Sequence, residues 1–479
     1  MFAATTLALD LFYYFCIYIM MKIIRRKSNI VPVGKVFLGD NHPVAIQSMT
    51  NTQTNDIIST VSQIKSIAAA GADMVRVTVP GMKEVEALKE IKKSLITEGY
   101  DIPLIADVHF STKVAEAAAA IVDKVRINPG NFMDKKVFNE GEMTEKEYLD
   151  SMERMASKAR PLLEICKKHN TTLRIGVNHG SLCDRIINKY GNGPLGMVMS
   201  AMEWVHICDN YDFHNVVFSM KASQVSQMME ASLLLVSKME EAGKVYPIHL
   251  GVTEAGSGLE GRVKSAAGTG ALLLMGIGDT IRVSLTEKPE NEIPVAGAII
   301  QAVEKIEPEW YTVDPDGILT FSYPEKEYDL WIVEVAAIVG YEHYHQKITD
   351  LIIKNPCFSP EENRELALAV LQACRIKMSR TEIISCPTCG RTQFNIERIV
   401  DKVKKRFGTY PDLKLGVMGC IVNGPGEMAD ADYGIVGATN NNVAVYEGKN
   451  RISAIIPEDE GLALLEKILQ EKGYGTENH

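Results

Sequence analysis

Three cysteines and one glutamate carry the clearest chemical signal in this chain. Cys386-Pro-Thr-Cys389 is a C-x-x-C pair, and Cys420 opens the run Cys420-Ile-Val-Asn-Gly-Pro-Gly-Glu427. Two thiolates at that spacing suit a soft metal, either one zinc or neighbouring irons of a cluster. A structural zinc closes its shell with four Cys or His ligands. No fourth Cys or His lies near Cys420, and the nearest carboxylate is Glu427. Three thiolates and one replaceable oxygen ligand would leave an iron open to a substrate oxygen, so the pattern favours a catalytic iron-sulfur centre over zinc. A thioredoxin-like dithiol is a further reading of Cys386 and Cys389, but no clear βαβ pattern surrounds them and Cys420 would be idle. Cys16, Cys166, Cys183, Cys208, Cys357 and Cys374 read as small buried side chains.

A second group of polar residues recurs where short β-branched runs end: Arg76, Asp107 and His109, Arg126 and Asn128, Arg174 and Asn178, Lys221, Thr253 and Glu254, Arg282 and Ser284. Any one alone is more simply a satisfied structural group. Four arginines and a lysine aimed at one point would repel one another unless an anion sat between them, and Arg suits bidentate phosphate binding. The set implies a small polyanionic ligand.

The elements that must position these residues are legible from periodicity. Eight candidate strands run over 44–48, 74–78, 104–107, 124–127, 172–177, 215–219, 248–252 and 280–283, with helical spacing of apolar residues between them, as in 57–70 and 83–94. Eight strands with crossover helices describe a TIM barrel, whose chemistry sits at the carboxyl ends of its strands. Gly251, Gly256, Gly258, Gly268, Gly270, Gly276 and Gly278 suit a phosphate-binding turn near the seventh and eighth strands, although turns need glycine anyway. Residues 289–380 show a turn at Asp314 to Gly317 and a capped helix start at Ser359 with Glu362, and no chemistry; they read as a spacer or accessory module. The last segment reads as a compact α/β domain, with helices near 393–406 and 461–472 and strands at 414–418 and near Gly434 and Val443. The expected organisation is an apolar extension over 1–28, a barrel over 29–288, the spacer over 289–380 and a metal domain over 381–479.

The 479 residues are 46% hydrophobic, enough for a large core and more than one domain. Lys and Arg total 51 against 61 Asp and Glu, a net charge of −10 that argues against a nucleic-acid partner held by phosphate contacts. Nine cysteines without an even-spaced framework fit a reducing compartment, so cytoplasm is the expectation. Met1 to Met21 are largely apolar and precede Lys22, Arg25, Arg26 and Lys27. That stretch is long enough to span a bilayer, fits a signal peptide poorly, and is absent altogether if translation begins at Met20 or Met21.

The motifs Gln47-Ser-Met-Thr-Asn51, Val75-Arg-Val-Thr-Val-Pro80, Ala106-Asp-Val-His109, Arg126-Ile-Asn-Pro-Gly-Asn131, Arg174-Ile-Gly-Val-Asn178 and Thr253-Glu-Ala-Gly256, with the two cysteine motifs, resemble those of the hydroxymethylbutenyl diphosphate synthases. The resemblance covers roughly 30 to 300 and 381 to 457. It implies an α/β fold, a TIM barrel followed by a small iron-sulfur domain similar to part of sulfite and nitrite reductases. It implies reductive opening of methylerythritol cyclodiphosphate in the non-mevalonate isoprenoid pathway, with ferredoxin or flavodoxin as electron donor. By motif, Cys386, Cys389, Cys420 and an exchangeable Glu427 would hold a 4Fe-4S cluster. Arg76, Arg126, Arg174, Lys221, Arg282 and Ser284 would grip the diphosphate. Asp107, His109, Asn128, Asn178 and Thr253 would line the reacting end, and Glu254 would donate a proton. The family's head-to-tail homodimer, one chain's cluster covering its partner's barrel, is also implied. Residues 289–380 depart from the short bacterial pattern and leave open whether closure is within or between chains. Two other readings stand beside this one. A pterin-binding methyltransferase barrel would not need so many converging cations, and a zinc-stabilised binding protein would be colourless.

Overall fold

The protein is described from a computed structural model that covers residues 24–132, 143–306, 310–323, 327–386, 389–421, 424–439 and 441–475. The apolar stretch Met1 to Met21 lies outside these residues. Among the described residues no helix is long and apolar enough to cross a membrane.

A hairpin of β1 (Val31–Val33) and β2 (Val36–Leu38) precedes eight parallel strands. These are β3 (Ala45–Met49), β4 (Met74–Thr78), β5 (Leu104–Asp107), β6 (Lys124–Ile127), β7 (Thr172–Asn178), β8 (Val216–Lys221), β9 (His249–Leu250) and β10 (Thr280–Ile281). They pair in the order β8-β7-β6-β5-β4-β3-β10-β9, and a bridge from Phe218 to Ile248 joins β8 to β9 and closes the ring. The expected TIM barrel is present. The last two ladders are shorter than the apolar runs suggest: β9 stops before Gly251, where a Cβ would meet Lys221 Nζ at 2.3 Å and the Arg282 carbonyl oxygen at 2.4 Å.

Alternation along each strand sorts the side chains. Val75, Val77, Val125, Leu173 and Ile175 face the outer helices and share a core with Ile64, Leu88, Ile91, Val114 and Leu163. The alternate set faces inward: Met74, Ile105 and Val217 meet Val31, Val33 and Leu38 of the hairpin, which plugs the amino-terminal end. Further up the same strands, Arg76, Arg126, Arg174 and Lys221 occupy the inward positions toward the carboxyl-terminal mouth.

The region following the barrel is folded and packed. Helix Glu292–Glu304 lies beside β3, and β11 (Tyr311–Val313), β12 (Ile318–Ser322) and β13 (Asp350–Lys354) form a three-stranded sheet. Gly317 completes the turn between β11 and β12, donating to the Asp314 carbonyl at 3.0 Å. Helix Tyr328–His345 runs along a π-helical turn of the barrel wall, Ala266–Gly270, so closely that a Cβ on Gly340 would stand 2.1 Å from the Ala267 carbonyl oxygen. Helix Pro360–Ala373 starts with the capping box of Ser359 and Glu362.

The carboxyl-terminal α/β region is a sheet of β14 (Glu382–Ser385), β15 (Lys414–Met418), β16 (Tyr433–Gly437), β17 (Asn442–Glu447) and β18 (Asn450–Arg451). The first three strands are parallel and the rest antiparallel. Helices Ile396–Phe407 and Glu458–Glu471 cover it, burying Ile399, Val403, Phe407, Leu465 and Leu469 against Leu415, Val417 and Val445.

Candidate active site

The cysteine motifs sit where two neighbouring parallel strands end. Ser385 of β14 pairs in register with Val417 of β15, so Cys386 and Cys420 leave the sheet side by side, and the Gly419 N–H donates to Cys386 Sγ at 3.1 Å. This edge faces the mouth of the same chain's barrel. Backbone meets backbone there: a Cβ on Gly426 would lie 2.0 Å from the Gly180 carbonyl oxygen. Thr286 and Ser385 hydroxyls are 2.8 Å apart, Ser223 donates to Asp430 at 2.7 Å, and Asn178 Nδ2 donates to Glu427 Oε1 at 3.3 Å.

One cavity results, with barrel and cysteine residues on opposite walls. Its lining includes Arg76, Asp107, His109, Arg126, Arg174, Asn178, Lys221, Thr253, Glu254, Arg282 and Ser284 from the barrel, and Cys386, Cys389, Cys420 and Glu427 from the carboxyl-terminal region. Of the residues singled out from the sequence, Asn128 alone is not on this wall. Its amide donates to Ser181 Oγ at 2.7 Å and its side-chain oxygen accepts from the Gly130 N–H at 3.2 Å, so it shapes the loop behind the site.

The cations are short of counter-charge. Asp107 accepts from Arg126 at 3.0 Å, and although burial alone would raise its pKa, Arg126 and Arg76 hold it well below the ordinary carboxylate range. Arg282 is gripped in bidentate fashion by Glu292 at 3.0 and 3.2 Å, and Ser48 donates to the same carboxylate at 2.8 Å. Among the described residues Arg174 has one hydrogen bond, to Ser219 Oγ at 3.1 Å, and its Nε has no partner. Arg76 rests Nε and Nη2 on the Met49 sulfur at 3.0 and 2.9 Å; burial pulls it down to about 9, with the charges of Arg282, Arg126 and Arg391 adding to that pull against the opposing field of Asp107. Burial, then Arg174 and Arg76, likewise drive Lys221 far below a normal lysine. Guanidinium groups stay protonated in proteins, so this downward pull marks a cost of desolvation first and repulsion second, which an entering anion would offset.

His109 is neutral in this setting, pushed down to about 3 by burial and by Arg391, against the opposing field of Asp107. Arg126 can only donate, so the His109 Nε2 it meets at 2.8 Å accepts, and the proton is assigned to Nδ1, which has no partner among the described residues. Where the two walls meet, burial lifts Glu254 of the barrel to about 7 and Glu427 of the carboxyl-terminal region well above the ordinary range, and the two carboxyls share a hydrogen bond. Glu254 occupies this place in a left-handed backbone conformation, φ +49°, a strained state that side-chain-bearing residues adopt mainly where the surroundings impose it.

Five lining residues were not singled out as site residues from the sequence: Met49, His249, Arg391, Met418 and Gly424. His249 Nε2 is buried without a partner, and beneath it Lys124 Nζ meets the Met74 sulfur at 3.4 Å. Arg391 follows Cys389 by two residues and crosses the cavity to Asp107 Oδ2 at 2.9 Å. Glu292, in the segment read from sequence as free of chemistry, is what restrains Arg282.

Two family profiles match the chain: the GcpE TIM-barrel domain over residues 28–297 and the GcpE protein C-terminal domain over residues 382–471. The chain belongs to the GcpE family. Among curated proteins of that family it is 42% identical, over 451 residues, to the 4-hydroxy-3-methylbut-2-en-1-yl diphosphate synthase (ferredoxin) of Synechococcus sp. (strain CC9902), covering 94% of each chain. It is 36% identical, over 606 residues, to the 4-hydroxy-3-methylbut-2-en-1-yl diphosphate synthase (flavodoxin) of Phocaeicola vulgatus, covering 95% of this chain and 99% of that one. The GcpE relatives are thus enzymes named with a redox partner. Among solved structures, a dihydropteroate synthase of Xanthomonas albilineans aligns with 59% of this chain and all of its own at 11% identity and a TM-score of 0.38, too distant to bear on function.

Proposed function

We propose that the enzyme opens 2-C-methyl-D-erythritol 2,4-cyclodiphosphate reductively and removes one oxygen as water, giving 4-hydroxy-3-methylbut-2-enyl diphosphate for isoprenoid synthesis. The relatives' names supply the product and the class of electron donor. The observation that carries the reading is the shared cavity, in which five barrel cations, met at close range by the two acids Asp107 and Glu292, face three thiols and a carboxyl. A cyclic diphosphate meets the first wall, and a 4Fe-4S cluster suits the second.

The donor set fits that cluster. Burial, then the nearness of Cys420 and Glu427, drives the Cys386 thiol well above its usual range, so thiolates gathered here call for a cation among them. Among the described residues no three Cys, His, Asp or Glu side chains converge as a chelate for a single ion; the ligands of a cubane stand apart on separate irons. Cys386, Cys389, Cys420 and an exchangeable Glu427 would hold it. When bound, the cluster would supply electrons singly from a ferredoxin or flavodoxin and a Lewis-acidic iron for the substrate oxygen.

The chain's own residues do the remainder. Arg76, Arg126, Arg174, Lys221 and Arg282, with Ser284, bind the diphosphate and orient the ring, a positioning role guanidinium forks perform well. Asn178, Thr253, Asp107 and neutral His109 line the reacting end. Glu254, with a pKa near neutrality, is placed to deliver a proton to the departing oxygen. The cysteines cover their own chain's barrel, so exchange between two chains of a homodimer is not needed to complete the cavity.

Anaerobic purification with iron and sulfide analysis, followed by EPR of the reduced protein with and without the cyclic diphosphate, tests the reading. About four irons per chain and a spectrum altered by substrate are expected. About one zinc per chain, with no iron even after anaerobic reconstitution, would overturn it.

A further inference from the structure

Arg391 is the one cation that the carboxyl-terminal region contributes to the cavity among the described residues. Its main chain is anchored on both sides. A Cβ on the preceding Gly390 would stand 2.6 Å from the Thr52 carbonyl oxygen of the barrel, and the Arg391 carbonyl accepts from Gln393 Nε2 at 2.8 Å. Gln393 in turn bonds through its backbone to Gly419, beside Cys420. From that anchorage the side chain, 13% exposed, reaches Asp107, itself 2% exposed and shared with Arg126. The guanidinium therefore lies between the barrel cations and the wall bearing Cys389 and Cys420, lining the same cavity as both.

We infer that Arg391 is a positioning residue with two linked tasks: it latches the cysteine loop onto the barrel through Asp107, and it keeps a positive charge beside the cluster that makes reduction easier. The inference rests on the cluster reading above. One-electron reduction by a ferredoxin- or flavodoxin-class donor adds one unit of negative charge to the cluster, and no proton need move with it. A desolvated cation held nearby opposes that added charge, and charge around a cluster is one of the factors that set its potential. Asp107 contributes the opposite sign from the other side of the same ion pair. The pair thus makes a specific forecast: its two halves tune the cluster in opposite directions, whereas a purely mechanical latch would respond alike to loss of either half.

The test is an EPR-monitored redox titration of the cluster-loaded, full-length enzyme and of Arg391→Met, Arg391→Lys and Asp107→Asn, each checked for iron, sulfide and circular dichroism. Arg391→Met is expected to lower the reduction equilibrium constant at least tenfold, a fall in midpoint potential of about 59 mV for one electron. Asp107→Asn should raise the potential, and Arg391→Lys should stay close to wild type while weakening the latch, read as a higher KM. An unchanged potential in cluster-loaded Arg391→Met, or shifts of the same sign in Arg391→Met and Asp107→Asn, overturns the inference. If Arg391→Met does not retain its cluster, Arg391→Gln replaces it under the same criteria. Absence of iron and sulfide from the wild type would instead overturn the cluster reading itself.

Discussion

The two ends of the barrel are lined by the same strands and have opposite physical characters. At the amino-terminal end, Met74, Ile105 and Val217 meet Val31, Val33 and Leu38, all buried and all apolar, and dispersion and hydrophobic burial hold the plug in place. At the carboxyl-terminal end the inward positions are Arg126, Arg174, Lys221 and Arg282, all buried, and the half-buried Arg76, with few acids to answer them. The first end is complete as it stands. The second gathers like charges at close quarters, a cost carried by the rest of the fold, as active sites commonly require. Substitutions at the two ends should therefore separate stability from activity.

The largest effect belongs to the thiol wall. Cys420→Ser is expected to abolish turnover and cut iron content well below the about four per chain of the wild type, with the barrel's circular dichroism retained. Full iron loading in that variant would remove Cys420 from the ligand set. Next comes Glu254→Gln, which keeps the shape and loses the proton; kcat should fall about 10² to 10⁴-fold, the usual contribution of a general acid, with iron content and KM little changed. Undiminished kcat would end that role for Glu254. At the opposite end, Leu38→Ala should cost about 2 to 5 kcal/mol of stability by leaving a cavity under the plug, measured by chemical denaturation, while kcat/KM per folded enzyme stays at the wild-type value. A loss of kcat/KM there would break the separation between the ends.

Much of this division was legible in the sequence, for a reason visible in particular strands. In Met74–Thr78 and Lys124–Ile127 a cation sits between β-branched neighbours, a pattern that marks strand, face and charge at once. Asn128 shows where the reasoning stops. It lies one alternation beyond Arg126, yet the chain has already left β6 and its amide turns to Ser181. Arg391 was illegible because its place depends on how two regions dock, which the local spacing around Cys389 does not encode. Glu292 was missed for a similar reason: an acid at a helix start is ordinary in sequence, and only packing beside β3 brings it to Arg282 and Ser48. The curled ends of β9 and β10 defeated strand periodicity because Gly251 must make way for Lys221.

The smallest expected effect is the most telling about the comparison, because its two readouts run in opposite directions. Arg174 is 1% exposed, has among the described residues a single hydrogen bond, to Ser219, and is pulled well below the ordinary range by burial and by Arg76 and Arg126. Replacing a buried charge that lacks a partner with an apolar side chain of similar length removes its desolvation and the repulsion together. Arg174→Met should therefore stabilise the ligand-free protein, by about 1 kcal/mol or more, seen as a raised thermal midpoint. The same change should raise KM for the cyclic diphosphate roughly tenfold, since a hydrogen bond to a charged group contributes about 1.5 to 3 kcal/mol. Added pyrophosphate should stabilise the wild type more than the variant, because a ligand that binds only the folded state stabilises it in proportion to its affinity. A lowered midpoint in Arg174→Met would mean that the mouth, like the plug, is a satisfied structure in its own right, and the contrast between the two ends would fail at the residue where it is sharpest.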